Sequence, residues 1–388
     1  MADAIPQTRN GADMTAQAIA GGVRQSIAHD SAHKHVAGEA LYIDDLPEPA
    51  GLAHLYLGLS QRAHATIRSI DLAKVRAAPG VIAVFDASDI PGANDISSTG
   101  LHDEPIFAVD LVQYHGQPLF AVAAVTRDQA RRAAKLAVVD YDDLPHATNV
   151  AQARAANAGL VTEPLKLARG DLDAAMAAAP RRIKGGMEIG GQDHFYLEGQ
   201  IALAIPGEGG EIHVHSSSQH PSEVQHCVAR VLGVRDHLIT VEVRRMGGGF
   251  GGKETQPAQF AATAALVAAK TGRPAKLRLD RDDDMIMTGK RHDFRVSSEA
   301  GFDDDGRLTA VNVEFDSRCG CSADLSMGVN DRTMFHADNA YYLPAVRITS
   351  YRCKTNTVSN TAFRGFGGPQ GMVAMERVID HIAHYLGI

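Results

Sequence analysis

The feature that most constrains the fold of this chain is a glycine-rich stretch near its middle, MGGGFGGKET, which runs from Met246 to Thr255. A strand-like run, 237–243, precedes it, and an alanine-rich helical run, 256–269, follows it. A glycine loop between a strand and the N-terminus of a helix presents free backbone N–H groups to an anion. This stretch, called here the first glycine loop, is therefore predicted to approach a negatively charged ligand.

Two nucleotide-binding patterns fit this loop only in part. Gly247, Gly249 and Gly252 satisfy GxGxxG, and the run from Gly247 to Lys253 satisfies GxxxxGK. A P-loop needs Ser or Thr after the lysine to hold Mg²⁺, but this chain has Glu254. In a dinucleotide site, that carboxylate would lie beside the pyrophosphate. The ligand is therefore predicted to be neither a nucleoside triphosphate nor NAD, and a P-loop-like nucleotide-binding protein is the less favoured alternative.

A second glycine loop, AFRGFGG at 362–368, repeats the Phe-Gly-Gly pattern and precedes another helical run, 369–386. Glycines in such loops let the backbone come close to a ligand. The pair predicts one extended anionic ligand that is gripped from two sides. The alternative is that the glycines only make tight turns.

Two polar residues outside the loops are candidates for ligand contacts. Arg332 lies beside apolar residues and could clamp a planar carbonyl or carboxylate group, although spacing alone favours a surface arginine paired with Asp331. Gln219 follows a strand and precedes a helix, a usual place for ligand-binding side chains. The alternative for Gln219 is a structural role.

Other polar patterns are predicted to carry no chemistry. Strand alternation places His213 and His215 on one face, but no third ligand has suitable spacing, so they are interpreted as solvated histidines. The acidic runs 282–284 and 303–305 lie beside turn signals and are predicted to be loops.

Composition excludes several classes of protein. Hydrophobic residues make up 45% of the chain and charged residues 22%, as in ordinary soluble globular proteins. A net charge of −8 argues against nucleic-acid binding, and the apolar runs are too short to span a membrane. The four cysteines contain no CxxC pair, which argues against zinc and iron–sulfur sites within the chain and predicts reduced thiols in the cytoplasm.

The order of signals along the 388 residues predicts an α+β protein with two domains. We expect a flexible leader at 1–25, a small α+β domain at 26–147, a connector at 148–180 and a larger domain at 181–388. The chain stops one residue after Gly387, which would cap its last helix, so we expect it to be part of a larger folding unit.

Several long motifs resemble those of the molybdenum hydroxylases. The resemblance runs from about residue 30 to the end and rests on residues 190–198, 244–255, 271–274, 289–292 and 359–371. It implies the aldehyde oxidase/xanthine dehydrogenase α/β hammerhead domain, followed by the first part of the molybdenum cofactor-binding domain. It also implies a molybdenum–molybdopterin cofactor.

The resemblance assigns cofactor contacts to four positions. Gln219 matches the glutamine that hydrogen-bonds the apical oxygen ligand of the metal. Phe250 and Gly251 match the loop whose backbone meets the pterin–molybdenum unit, and Arg364 matches the cofactor contact of the second loop. By this resemblance, Gln219, Phe250 and Arg364 surround the molybdenum without ligating it directly.

The resemblance also assigns a substrate pocket to Glu254, Arg332 and Phe366. In the family, two polar anchors hold a purine and an aromatic ring packs on it, whereas members that oxidise aldehydes usually carry apolar residues at the Glu254 and Arg332 positions. The implied activity is hydroxylation of hypoxanthine to xanthine and urate, with Arg332 stabilising negative charge in the transition state. An aldehyde-oxidising hydroxylase is the alternative.

The family's catalytic glutamate belongs to a C-terminal half that this sequence does not contain. We therefore expect the chain to be an incomplete part of the catalytic subunit, inactive by itself, with that half as one partner. A second expected partner is a small subunit carrying 2Fe–2S clusters and FAD, which passes electrons to NAD⁺. A non-enzymatic assembly remnant is the alternative from another class.

Overall fold

The structure is a computed structural model that describes residues 22, 24 and 26–388. The predicted leader at 1–25 lies outside the described residues, apart from residues 22 and 24. Contacts divide the chain into two compact units, the first ending at Leu41 and the second running from Tyr42 to Ile388. The first unit contains helix α1, and the second contains all the elements that follow.

The helices and strands of the described residues have the following bounds. The helices are α1 Ala32–Ala37, α2 Ala73–Arg76, α3 Arg127–Ala134, α4 Val150–Ala155, α5 Leu172–Ala178, α6 Pro221–Leu232, α7 Pro257–Thr271, α8 Arg281–Met287, α9 Ser326–Phe335 and α10 Gly368–Leu386. The strands are β1 Ala53–Leu59, β2 Ala65–Asp71, β3 Val81–Asp86, β4 Leu111–Val112, β5 Pro118–Ala124, β6 Val138–Asp143, β7 Leu160–Arg169, β8 Arg181–Ile189, β9 Ile201–Pro206, β10 Ile212–Ser216, β11 Ile239–Glu242, β12 Ala275–Arg278, β13 Phe294–Phe302, β14 Leu308–Gly320 and β15 Val346–Lys354.

The largest sheet has seven strands in the order β11-β10-β9-β12-β1-β5-β3. The pairs β10–β11 and β1–β12 are parallel, and the other neighbours are antiparallel. Helix α7 packs on this sheet and is buried from Pro257 to Ala268. Because its small alanine side chains allow other elements to pack closely on all sides, the helix has no exposed polar face and shows little amphipathic pattern. The sheet thus holds β10, which leads to Gln219, and β11, which leads to the first glycine loop.

A second sheet has five strands in the order β7-β15-β14-β13-β8, and α10 and α9 pack against it. Its core includes Phe294, Phe315, Met375 and Val378. A small three-stranded sheet, β4-β2-β6, completes the architecture. Because the seven-stranded sheet takes strands from both sides of residue 147, the domain boundaries at 147 and 180 stay predictions.

The predicted strand before the first glycine loop and the predicted helices after both loops are confirmed as β11, α7 and α10, but one predicted loop is wrong. The acidic run Asp282–Asp284 lies in helix α8, not in a loop. Carboxylates in the first turn face the positive end of the helix dipole, so they stabilise a helix start there. The run 303–305 does form a turn, closed by Gly306 with φ of 82°. Strands β2, β4, β7, β8 and β15 and helices α1 and α9 were not predicted.

All four cysteines are buried free thiols, and burial raises the pKa of Cys227, Cys321 and Cys353 to about 12. Such thiols are unreactive near neutral pH. Within the described residues, no helix combines the length and apolar character that crossing a membrane requires.

Candidate functional site

The first glycine loop has an unusual backbone. Gly248, Phe250 and Gly251 have φ angles of 97°, 54° and 100°, and a positive φ is uncommon for a phenylalanine. Among the described residues, the N–H groups of Gly248, Gly249 and Phe250 donate to no protein acceptor. Successive free N–H groups on such a backbone form a concavity that binds anions. The loop therefore fits the predicted anionic ligand.

The two glycine loops are in direct contact. The backbone N–H of Arg364 donates to the carbonyl oxygen of Phe250 at 2.8 Å. A Cβ atom added at Gly251 would lie 2.6 Å from the carbonyl oxygen of Ala362, so only glycine allows this approach. The loops are thus adjacent, as a ligand shared between them requires, and that ligand stays a prediction.

Gln219 lies against the first loop, just after β10. Its Oε1 accepts hydrogen bonds from the N–H groups of Gly251 at 2.9 Å and Lys253 at 3.3 Å. A Cβ atom at Gly249 would lie 2.5 Å from the same oxygen. The amide NH₂ of Gln219 makes no hydrogen bond within the described residues and the side chain is exposed, so it can donate to a ligand.

Replacing Gly251 by alanine should destabilise the site more than backbone strain alone explains. The added Cβ would collide with Ala362, in addition to the cost of about 1–2 kcal/mol for a left-handed alanine. Gly272 is a matched control, since it has φ of 64° and no atom within 4 Å of an added Cβ. Urea unfolding should give a larger loss for Gly251→Ala than for Gly272→Ala. Equal losses would mean that the loops can separate freely.

A buried ion pair supports the first loop from behind. Lys253 has a side-chain exposure of 0%, and its Nζ donates to the carbonyl oxygen of Glu198 at 2.7 Å and to Oε2 of Glu198 at 3.3 Å. The same Oε2 accepts the N–H of Gly247 at 2.8 Å. Burial lowers the pKa of Lys253, and the nearby Glu198 counteracts that shift. The lysine that matches GxxxxGK is therefore a structural anchor that is buried against Glu198 and is not available to bind a phosphate.

His194 connects the two loops. Its Nε2 lies 2.7 Å from the carbonyl oxygen of Ala362, and its ring centre lies 4.7 Å from that of Phe363. A Cβ at Gly252 would lie 2.6 Å from the imidazole. Burial lowers the pKa of His194, which favours a neutral ring that donates through Nε2. Sequence reasoning found no role for this residue, and its only signal was its place in the run 190–198.

Asp324 joins the ends of both loops to the start of α9. Its buried carboxylate accepts hydrogen bonds from Thr255 Oγ1 at 2.9 Å, Gln256 Nε2 at 2.7 Å and Thr361 Oγ1 at 2.9 Å. Burial raises the pKa of Asp324 to about 7, although these hydrogen bonds oppose the shift. Sequence reasoning did not identify this residue.

This buried acid predicts a pH dependence of stability. Because the pKa is 3.8 for an ordinary aspartate and about 7 in the fold, the folded state binds the proton more tightly than the unfolded chain does. Its stabilising effect is complete below pH 4 and is lost as the pH rises to about 7. In Asp324→Asn, the fall in unfolding free energy between about pH 4.5 and 7.5 should be shallower. Part of the pH dependence should remain in the variant, because burial also raises the pKa of Glu104. An unchanged slope would contradict the assignment.

Helix α9 lies against the second loop, so that Arg332 on the helix comes close to the loop that carries Phe366. The ring of Phe366 lies 3.0 Å from a Cβ built at Gly328, and Nε of Arg332 lies 3.7 Å from one built at Gly368. The expected pairing of Arg332 with Asp331 is wrong, because Asp331 pairs with Arg352 from β15. Within the described residues, the exposed Arg332 makes no ion pair, so its guanidinium can bind a ligand.

Glu254 lies at the start of the segment that leads into α7 and is partly buried. Burial raises its pKa, His220 lowers it and Glu223 raises it. Its carboxylate accepts no hydrogen bond within the described residues, and none joins it to Arg332. Within the described residues, Glu254 and Arg332 are therefore both available to bind a ligand, and they do not contact each other. Their roles as substrate ligands stay predictions.

The candidate site is an open surface. Gln219, Phe250, Arg332 and Arg364 are all exposed. A cavity behind the loops, lined in part by Glu104, Thr255 and Gln256, has a volume of about 50 Å³. That volume suits a water molecule and not a purine, since pockets for small molecules usually exceed about 300 Å³. The candidate ligand side chains instead lie on the exposed side of the loops.

The chain is similar to known protein families and to individual curated proteins. A family model described as "Molybdopterin cofactor-binding domain" matches residues 154–388, and one described as "Aldehyde oxidase and xanthine dehydrogenase, a/b hammerhead domain" matches residues 37–145. Xanthine dehydrogenase of Dictyostelium discoideum is 41% identical over 94% of this chain and 27% of its own length. That of Oryza sativa subsp. japonica is 43% identical over 93% of this chain and 26% of its own length.

The fold comparison gives the same result. The aldehyde oxidoreductase of Desulfovibrio gigas has a TM-score of 0.84 and 28% identity, over 92% of this chain and 41% of its own. The chain spans about a quarter of the length of the curated relatives it matches. The expected fold and family resemblance are thus confirmed. The chain belongs to the molybdopterin cofactor-binding domain family, and in this chain that domain follows an aldehyde oxidase and xanthine dehydrogenase hammerhead domain.

Proposed function

We propose that this chain forms part of a molybdopterin-dependent hydroxylase that converts hypoxanthine to xanthine and xanthine to urate. The observation that carries the proposal is the presence of two uncommitted polar anchors, Glu254 and Arg332, beside the glycine loops. A carboxylate accepts from a purine N–H, and a guanidinium donates to a purine carbonyl oxygen. The identity with xanthine dehydrogenases supports the same substrate class.

The cofactor would rest on the seam between the two loops. The free N–H groups at 248–250 suit its anionic groups, the NH₂ of Gln219 suits an oxygen acceptor and the exposed Arg364 adds positive charge. The molybdenum–molybdopterin group, when bound, supplies the two-electron oxidation. Within this chain, Glu254 and Arg332 would orient the purine and Phe366 would pack against it. Arg332 would also stabilise the negative charge that develops on the purine oxygens.

The remaining parts of the enzyme are proposed from the partial coverage of the relatives. Electrons would leave through 2Fe–2S clusters and FAD to NAD⁺, carried by a partner subunit or by other regions of the protein. Residues that complete the molybdenum site would come from a further catalytic half. Four free, buried thiols support a reducing location such as the cytoplasm.

An aldehyde-oxidising hydroxylase is the second candidate, because the aldehyde oxidoreductase of Desulfovibrio gigas shares this fold. The discriminating experiment measures kcat/KM of the whole, cofactor-loaded protein for hypoxanthine, xanthine and an aromatic aldehyde. The proposal predicts a clear preference for the purines. A preference for the aldehyde would overturn the purine assignment while leaving the cofactor site intact.

A further inference from the structure

A cluster of potential metal ligands lies on strands β10 and β11 of the seven-stranded sheet and includes none of the residues assigned to the cofactor or the substrate. His213 and His215 come from β10, and Glu242 comes from the neighbouring parallel strand β11, where it pairs in register with His215. Nε2 of His213 lies 3.1 Å from Oε2 of Glu242, and Nδ1 of His215 lies 3.7 Å from the same oxygen. The two imidazole ring centres are 4.6 Å apart.

These separations suit a shared cation. A tetrahedral zinc ion with bonds of about 2.1 Å holds its ligand atoms about 3.4 Å apart, and the two His–Glu distances fall on either side of that value. One ligand atom from each of the three residues can be chosen so that all lie within 4.8 Å of one another. Glu242 is thus a third potential ligand, which sequence spacing did not indicate. Sequence reasoning missed Glu242 because the pairing of β10 with β11, and not sequence spacing, places its carboxylate beside the two histidines.

The chemistry of the donors narrows the class of ion. Two imidazoles and one carboxylate match the ligands that zinc and similar divalent transition metals prefer, whereas Mg²⁺ and Ca²⁺ favour oxygen donors only. The side chains are 42%, 19% and 45% exposed for His213, His215 and Glu242. Solvent can therefore reach the fourth coordination position, and the metal can enter without opening the fold.

We propose that His213, His215 and Glu242 form a binding site for a divalent transition metal such as Zn²⁺, with water as the fourth ligand. The site would tie the edge strand β11, which has four residues, to β10. Beyond their carboxyl ends, these two strands lead to the first glycine loop and to Gln219. The metal would thus brace the two segments that build the cofactor seam, and the inference does not depend on the identity of the substrate.

Calorimetric titration of the purified, metal-free protein with Zn²⁺ alone tests the site. Three variants, His213→Ala, His215→Ala and Glu242→Gln, should each weaken the same binding event by at least about ten-fold, since even outer-sphere partners of a metal contribute that much. His226→Ala is the matched control. It removes an exposed histidine paired with Asp236 at 2.9 Å, outside the three-residue cluster, and should bind Zn²⁺ as the parent protein does.

Measurements of folding, thermal stability and Co²⁺ absorption separate a loss of metal binding from a loss of stability in a variant. Circular dichroism should show that all four variants fold, and Zn²⁺ should raise the Tm of the parent and of His226→Ala but not of the three cluster variants. Co²⁺ should give the visible absorption of a tetrahedral site only in the parent protein and in His226→Ala. Binding of Zn²⁺ that is equal in all five proteins, or absent from the parent, would overturn the proposal.

Discussion

Replacing Arg332 by methionine is expected to lower the turnover of xanthine by about 10²- to 10³-fold in the whole, cofactor-loaded enzyme, the usual effect of removing one preorganised donor. The guanidinium is free of ion pairs within the described residues and lies beside the second glycine loop. Methionine keeps an unbranched apolar chain but cannot stabilise negative charge on a purine oxygen. The measurement is steady-state kcat/KM with xanthine.

The control for this prediction is Arg377→Met, on the exposed face of α10, where the arginine pairs with Asp380. It should leave xanthine turnover unchanged. Turnover of an aromatic aldehyde, which lacks the purine carbonyl oxygens that Arg332 would bind, should survive better in Arg332→Met than turnover of xanthine does. Equal losses with both substrates would indicate that Arg332 acts through the structure of the site instead.

Replacing Glu198 by alanine is expected to reduce the free energy of unfolding by about 3–5 kcal/mol, the usual cost of breaking a buried ion pair from one side. The Lys253 side chain has no solvent exposure, so its charge would lose its partner without gaining water. The N–H of Gly247 would lose its acceptor at the same time. Urea unfolding of the purified variant gives the magnitude.

Two further variants separate charge from packing. The double variant Glu198→Gln with Lys253→Met should recover part of the loss, because no unpaired charge remains. Lys184→Met removes the surface pair with Glu299 and should cost less than about 1 kcal/mol. A loss for Glu198→Ala as small as that of Lys184→Met would contradict the view that this pair anchors the first glycine loop.

The parts of the site that sequence could predict are those set by local pattern. Both glycine loops, the helices that follow them and the position of Gln219 between a strand and a helix depend on residues that are neighbours in the chain. Turn and cap chemistry also acts locally, and Pro221 and Pro257 lie at the first positions of α6 and α7, where proline is favoured.

The parts that sequence missed depend on contacts between distant residues. Glu198 and Lys253 are 55 positions apart, and His194 meets the second loop across 168 positions. No local pattern encodes such pairs. Glu242 likewise joins the two histidines only because β10 and β11 run parallel in register. The error at Asp282–Asp284 had a different cause, because the acidic run was interpreted as a turn when its charges stabilise a helix start.

The central claim, that the seam between the two glycine loops holds the molybdenum cofactor, is tested most directly by the molybdenum and pterin content of the purified whole protein. Gln225→Ala is the control for Gln219→Ala, because Gln225 hydrogen-bonds the carbonyl oxygen of Ile239 away from the loops. The parent and Gln225→Ala should retain molybdenum and pterin equally, and Gln219→Ala should retain about ten-fold less. Equal molybdenum in all three proteins, or none in the parent, would contradict the claim.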